Sequence, residues 1–152
     1  MNTFFAEQFR VASNKVVLIG ADCPQLKLQT VEKAFSLLDH SDFVFGPSDD
    51  GGYYLIGMNQ LFEFVFSDVE WGTSTVLSTT IDIIQKQNRT VQLLDRNFDI
   101  DTEADLQKFL SLSSSDPDST FNQSLYELQL QVRRILKHRS TDTSSVSDIE
   151  LA

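Results

Sequence analysis

The sequence predicts an α/β protein built on one layered sheet, and three features lead there. Short apolar runs that read as strands recur along the chain: "KVVLIG" at 15–20, "DFVFG" at 42–46, "YYLIGM" at 53–58 and "TVQLL" at 90–94. Segments with a helical period of apolar residues lie between the first and second runs and between the third and fourth, at 28–38 and 73–87. Strands that alternate with helices pack as a sheet covered by helices.

Taken in order, residues 2–12 carry Phe4, Phe5, Phe9 and Val11, a weakly amphipathic helix. The run 15–20 is apolar, β-branched and closed by Gly20; it reads as a fully buried strand of the kind found in parallel sheets. Over 28–38, Leu28, Val31, Phe35 and Leu38 fall on one helical face. Residues 60–68 are apolar and Phe-rich but match neither period. Val76, Leu77, Thr80 and Ile84 mark the helix over 73–87. Thr102 stands three residues before Asp105, the spacing of a capping box at the head of a helix over 102–110. The expected organisation is a sheet domain over 1–110, a Ser/Asp-rich linker over 111–120, an additional helix over 121–138 and a disordered tail over 139–152.

Bulk properties exclude several classes of function. The 152 residues hold 22 acidic and 12 basic side chains, a net charge of −10. That balance argues against nucleic acid and against an anionic membrane surface, both of which call for a basic face. It leaves a phosphate ligand open, because a divalent cation bridges carboxylates to phosphates. Cys23 is the single cysteine, so no internal disulfide forms and a cytoplasmic location is the default expectation. No stretch approaches the ~20 apolar residues of a membrane span, and "MNTFFAEQFR" lacks the pattern of a signal peptide.

Ligands of open α/β sheets bind outside the carboxyl ends of the strands. Here "GADCP" follows the first strand, "GPSDDGG" the second and "DRNFDIDTEAD" the fourth. Taken singly, Asp22 caps a turn, Asp49 and Asp50 with Gly51 and Gly52 make a solvated turn, and Asp99 and Asp101 complement a helix dipole. Together, carboxylates from three strand ends repel one another unless a cation relieves them, and hard oxygen ligands select magnesium or manganese. "WGTSTVL", 71–77, offers N–H groups and the hydroxyls of Thr73, Ser74 and Thr75 to an anion, or only an N-cap. Trp71 either stacks on a ligand ring or seals the loop. Cys23 beside Asp22 lacks the electropositive setting of a nucleophile and reads as a packed residue. His40 and His138 are far apart in sequence and support neither a zinc site nor a catalytic triad.

Four motifs in fixed order, "VVLIGADCPQL", "FGPSDDGGYYLIGM", "VEWGTSTVL" and "FDIDTEADL", resemble a bacterial family of GT-A-type, nucleotide-diphospho-sugar-transferase-like proteins, glycosyltransferases associated with radical-SAM genes. The resemblance covers about residues 4–110. The family is similar in turn to nucleotidyltransferases that make molybdopterin-guanine dinucleotide or guanylate-activated phospholactate. The resemblance implies a three-layer α/β/α sheet of GT-A type. It implies Asp22 as the metal-binding aspartate after the central strand, and Asp101, or else Asp99, as the late metal ligand. Asp50, Gly51 and Gly52, with Tyr53, would line the sugar or acceptor pocket, and Trp71, Gly72 and Thr73 its far wall. Asp50 is the candidate base toward an acceptor hydroxyl.

The chain departs from that family in one large respect. The family opens with a further strand and a basic Pro-Gly loop that hold the nucleotide, on the order of 60 residues, and they have no counterpart here. Lys27-Leu28 also stands where the family has a Thr-Pro helix start. The reading is therefore an N-terminally truncated glycosyltransferase domain that uses a nucleotide-activated sugar, an unknown acceptor and Mg2+ or Mn2+, with its activity in question. Such a cut exposes an edge strand, which implies a homo-oligomer or pairing with a missing N-terminal half. One alternative is a nucleotidyltransferase, which would act on a nucleotide and release pyrophosphate. The other is a non-catalytic, protein-binding remnant that docks through 121–138, where Leu125, Leu128, Val132, Ile135 and Leu136 form an apolar stripe.

Overall fold

A computed structural model describes residues 1–11, 14–67, 69–112 and 120–144, the side chains at 120, 121 and 138–144 excepted. It divides into two compact units, Met1–Ile100 and Asp101–Ala152. The sheet domain expected over 1–110 thus ends as a compact unit at Ile100, and the helix that follows groups with the second unit.

The first unit runs α1 (Asn2–Arg10), β1 (Val16–Ile19), α2 (Leu28–Leu37), β2 (Phe43–Pro47), β3 (Tyr53–Met58), a short 3-10 turn (Glu63–Phe66), α3 (Val76–Lys86) and β4 (Val91–Leu93). The strands form one sheet in the order β1-β3-β2-β4. β3 is antiparallel to both β1 and β2, whereas β2 and β4 are parallel. Three strands therefore run one way with the fourth reversed between two of them, and the sheet is mixed.

β1 departs from the fully buried strand expected over 15–20. Val16 and Leu18 pack with one apolar cluster and Val17 with another, so both faces are covered. The strand nevertheless lies at the end of the sheet order, and Ile19 is 47% exposed. A continuous apolar run reports two covered faces; it carries no information about a free edge or a neighbour's direction.

Alternation sorts the strand side chains into two clusters. Phe43, Phe45, Ile56 and Met58 join Phe5 of α1, Ile84 of α3, and Phe62 and Val65 from the segment of the 3-10 turn. Val44 and Leu55 join Ala34 and Leu38 from α2 and its C-cap, with Leu94 and Cys23. The Phe-rich segment 60–68 is thereby explained: a single 3-10 turn follows neither the helical nor the strand period. It delivers the Phe62 ring 4.7 Å from that of Phe43, with the Arg89 guanidinium 5.0 Å over Phe62.

The expected face of α2 is met in part: Val31 is half-buried and Leu38 buried, but its other two members turn outward. Ala34 and Leu38 are buried, while Leu28 is 67% and Phe35 39% exposed. Small Ala34 also turns inward, into one apolar cluster with Val44, Tyr54 and Leu55 of the sheet.

In the second unit, α4 (Glu103–Ser111) opens on the expected capping box, and α5 spans Thr120–Ser144. The Asp105 amide donates to Thr102 Oγ1 at 3.2 Å and the Thr102 amide returns a bond to Asp105 Oδ2 at 2.9 Å. Bonds from Thr102 hold the Asp105 carboxyl below its ordinary range. Side chains of α5 satisfy carbonyls at the end of α4: Gln129 Nε2 donates to Phe109 O and Arg133 NH2 to Leu110 O, each at 2.6 Å. α5 continues six residues past its expected end at 138, so 139–144 are helical rather than part of a tail. The expected linker over 113–119 and tail over 145–152 lie outside the described residues. Of the expected stripe, Leu125, Val132 and Leu136 are half-buried, while Leu128 and Ile135 are exposed. Among the described residues no helix is long and apolar enough to cross a membrane.

Candidate functional site at the strand ends

Because β1, β2 and β4 share a direction, their carboxyl ends meet at one edge of the first unit. The segments that leave them are tied together by hydrogen bonds. The Ile100 amide donates to Asp22 O at 3.1 Å, and the Asn97 amide to Pro47 O at 3.0 Å. Gln25 Nε2 donates to Asn97 Oδ1 at 3.1 Å and also to Phe98 O. Arg96 NH1 donates to Ser48 O at 2.8 Å, beside an isolated parallel bridge between Ser48 and Asn97. Cys23 is buried with its thiol donating to Phe98 O at 3.4 Å, a packed residue as its acidic neighbour suggests. Sequence reasoning centred on carboxylates and missed Gln25, Arg96 and Asn97. The signal available for them was polar residues where each strand's apolar run stops.

Within the turn after β2, Asp50 Oδ1 accepts from the Ser48 hydroxyl and from the Gly52 amide at 2.9 Å. These donors, Ser48 first, hold its carboxyl below the ordinary range. Gly51 has φ +93°, and a Cβ there would lie 1.9 Å from Ser74 O. Its carbonyl accepts from the Leu77 amide at 3.1 Å, so this turn docks on the start of α3. Tyr53 is largely buried, its hydroxyl lacks a partner among the described residues, and burial pushes its pKa upward. Tyr54 packs its ring where a Gly46 Cβ would stand, and its hydroxyl donates to Asp95 O at 2.9 Å. Burial, with the Asp95 charge nearby, pushes its pKa up to about 12.

The segment before α3 is built differently. Trp71 is 45% exposed, and Gly72 has φ +79° with, among the described residues other than its chain neighbours, no atom within 4 Å of where a Cβ would stand. Thr73 Oγ1 donates to Glu70 O at 3.0 Å and lies 3.1 Å from Thr75 Oγ1. Thr75 is the N-cap of α3 but makes no side-chain cap bond. The Val76 amide is used by Thr73 O and the Leu77 amide by Gly51 O. Two N–H groups that the sequence offered to an anion are thus taken by the protein itself.

Asp22 is exposed at this edge, with the Cys23 thiol 3.9 Å from its Oδ1. Asp99 lies in the same unit, half-buried, and Asp101 is the exposed first residue of the second unit. Among the described residues no group of three or more His, Cys, Asp or Glu side chains comes together as a metal cage. Two carboxylates of the first unit, Asp22 and Asp99, stand on the segments that follow β1 and β4.

Comparisons with known proteins agree with this architecture. The model of a family described as "Uncharacterized protein conserved in bacteria (DUF2064)" matches residues 1–73. No curated protein matches. The crystal structure of a "putative nucleotide-diphospho-sugar transferase from Desulfovibrio desulfuricans G20" superposes with a TM-score of 0.71 at 30% identity, over 88% of this chain. The chain covers 60% of that protein's length. In its mixed α/β fold and four-stranded sheet, the chain is similar to that transferase.

Proposed function

We propose that the chain carries the strand-end edge of a GT-A-type glycosyltransferase domain, which moves a sugar from a nucleotide diphosphate donor to an acceptor hydroxyl. The observation that carries this reading is the convergence of three codirectional strand ends whose loops are hydrogen-bonded into one platform. The likeness to a nucleotide-diphospho-sugar transferase structure supports it. In this reading the sheet is the three-layer GT-A sheet, and the whole activity belongs to the domain completed by a nucleotide-holding strand and basic loop.

Asp22, with Asp99 of the same unit as the second carboxylate, would hold magnesium or manganese against the donor diphosphate. The ion would offset charge on the departing nucleotide. Asp50 faces the acceptor: its bonds from Ser48 and Gly52 keep it ionised, so it orients a hydroxyl by accepting its proton in a hydrogen bond. Gly52 and Tyr53 would line one wall of the acceptor pocket, beside Gly51, which is itself closed against Ser74, and Trp71, Gly72 and Thr73 the other, with the exposed Trp71 indole available for stacking on a ring.

Calorimetry with UDP-glucose and GDP-mannose, with manganese present, tests the proposal. Uptake of one of them is expected, weakened about tenfold or more in Asp22→Asn, which removes a charged ligand. Equal binding by that variant, or no uptake of either sugar nucleotide, overturns it. Pyrophosphate release from nucleoside triphosphates would shift the reading to a nucleotidyltransferase.

A further inference from the structure

We infer that Arg96 is a phosphate-contacting cation of the strand-end platform, placed to receive a diphosphate group through its guanidinium. The ligand class rests on the transferase reading above. The segments that build this edge, 20–26, 46–53, 70–75 and 94–100, contain Asp22, Asp49, Asp50, Glu70, Asp95 and Asp99, and Arg96 is their single basic residue, with Lys33 of α2 reaching in to pair with Asp95 at 3.4 Å. An arginine amid so many carboxylates would ordinarily pair with one of them. Arg96 does not: among the described residues its bonding partner is a backbone carbonyl, Ser48 O at 2.8 Å, and it joins no salt bridge.

That bond has two consequences. It ties the segment after β4 to the turn after β2, which fixes where the guanidinium stands on the platform. It also uses one of five N–H donors, which leaves the exposed side of a planar fork suited to a second, bidentate partner. Carboxylates alone repel a diphosphate, and a bridging cation relieves only part of that repulsion. A guanidinium held among them adds positive charge, and its fork, which pairs here with no carboxylate among the described residues, fits a phosphate equally well. In the sequence this residue is inconspicuous, a single "R" in "DRNFDID".

The test uses the full chain and inorganic pyrophosphate as probe, titrated with and without magnesium, beside UDP-glucose and GDP-mannose. Arg96→Gln is expected to weaken pyrophosphate binding about tenfold and to flatten its dependence on salt, because a screened charge contact is lost. Arg96→Lys should recover part of the affinity, since it restores charge without the fork. Lys86→Gln, the same charge change at the exposed end of α3, should bind as the unaltered chain does. If Arg96→Gln lowers the melting temperature but leaves affinity and salt dependence unchanged, Arg96 only holds Ser48 and the inference is wrong, while the transferase reading stands. If pyrophosphate binding depends on Arg96 but no sugar nucleotide binds, the phosphate contact stands and the transferase reading falls. If the unaltered chain binds none of the probes, both are overturned.

Discussion

Gly51, in the turn between β2 and β3, and Gly72, in the segment before α3, both adopt positive φ, at 93° and 79°, yet their surroundings are opposite. At Gly51 the space of a side chain is filled by backbone: a Cβ would stand 1.9 Å from Ser74 O and 2.6 Å from Ser74 C. At Gly72, among the described residues other than its chain neighbours, no atom lies within 4 Å of that position. The first glycine is a joint, where the turn after β2 closes on the start of α3 and Leu77 N–H meets Gly51 O. The second serves its own turn only, beside the half-exposed Trp71 ring. A glycine pair next to aspartates thus does not by itself mean room for a ligand. The room at Gly51 is taken by the protein, whereas the room near Gly72 is open.

Gly51→Ala breaks this comparison most severely. It combines an unfavourable φ with a clash against main-chain atoms that no side-chain rotation relieves, at a cost of about 3 kcal/mol or more. Chemical denaturation should show that loss, and amide exchange should show Leu77 N–H losing protection as the turn leaves α3. A loss below about 1 kcal/mol would mean that the joint is loose and that its closeness does not stabilise the fold.

Gly72→Ala sharpens the contrast. With the φ penalty alone and no steric conflict, the expected loss is about 1 kcal/mol, read in the same denaturation experiment. Equal losses at Gly51 and Gly72 would show that backbone conformation, not packing, sets both.

The same contrast separates what was legible in the sequence from what was not. Runs such as "YYLIGM" and the Thr102–Asp105 spacing report local preferences, and β3 and the capping box of α4 appear where those preferences put them. That β3 is antiparallel to both neighbours is a matter of long-range pairing, which apolar pattern does not encode. The site divides in the same way. Asp22, Asp50 and the loops after β1, β2 and β4 could be assigned to one edge, because strand order along the chain implies it. The bonds from Gln25, Arg96 and Asn97 that hold those loops together join residues more than forty positions apart. The fit of Ser74 against Gly51 is likewise a tertiary contact between two separately readable motifs.

The smallest effect expected concerns the charge inside the Gly51 turn. The Asp50 carboxyl is held below its ordinary range by Ser48 and Gly52, so its folded pKa lies under the unfolded value of about 3.9. A depressed carboxylate pKa contributes stability above the unfolded value, and that contribution fades as pH falls through the folded one. Asp50→Asn keeps an acceptor oxygen for the same two donors but removes the charge. Its cost at pH 7 should be about 0.5 kcal/mol, small because the group is largely solvated and screened. That difference from the unaltered chain should shrink as pH drops below about 4. Denaturation curves of both proteins at pH 7 and pH 3 measure it. A difference that is the same at both pH values would mean that the charge contributes nothing and that the turn is held by the approach of Ser74 to Gly51 alone.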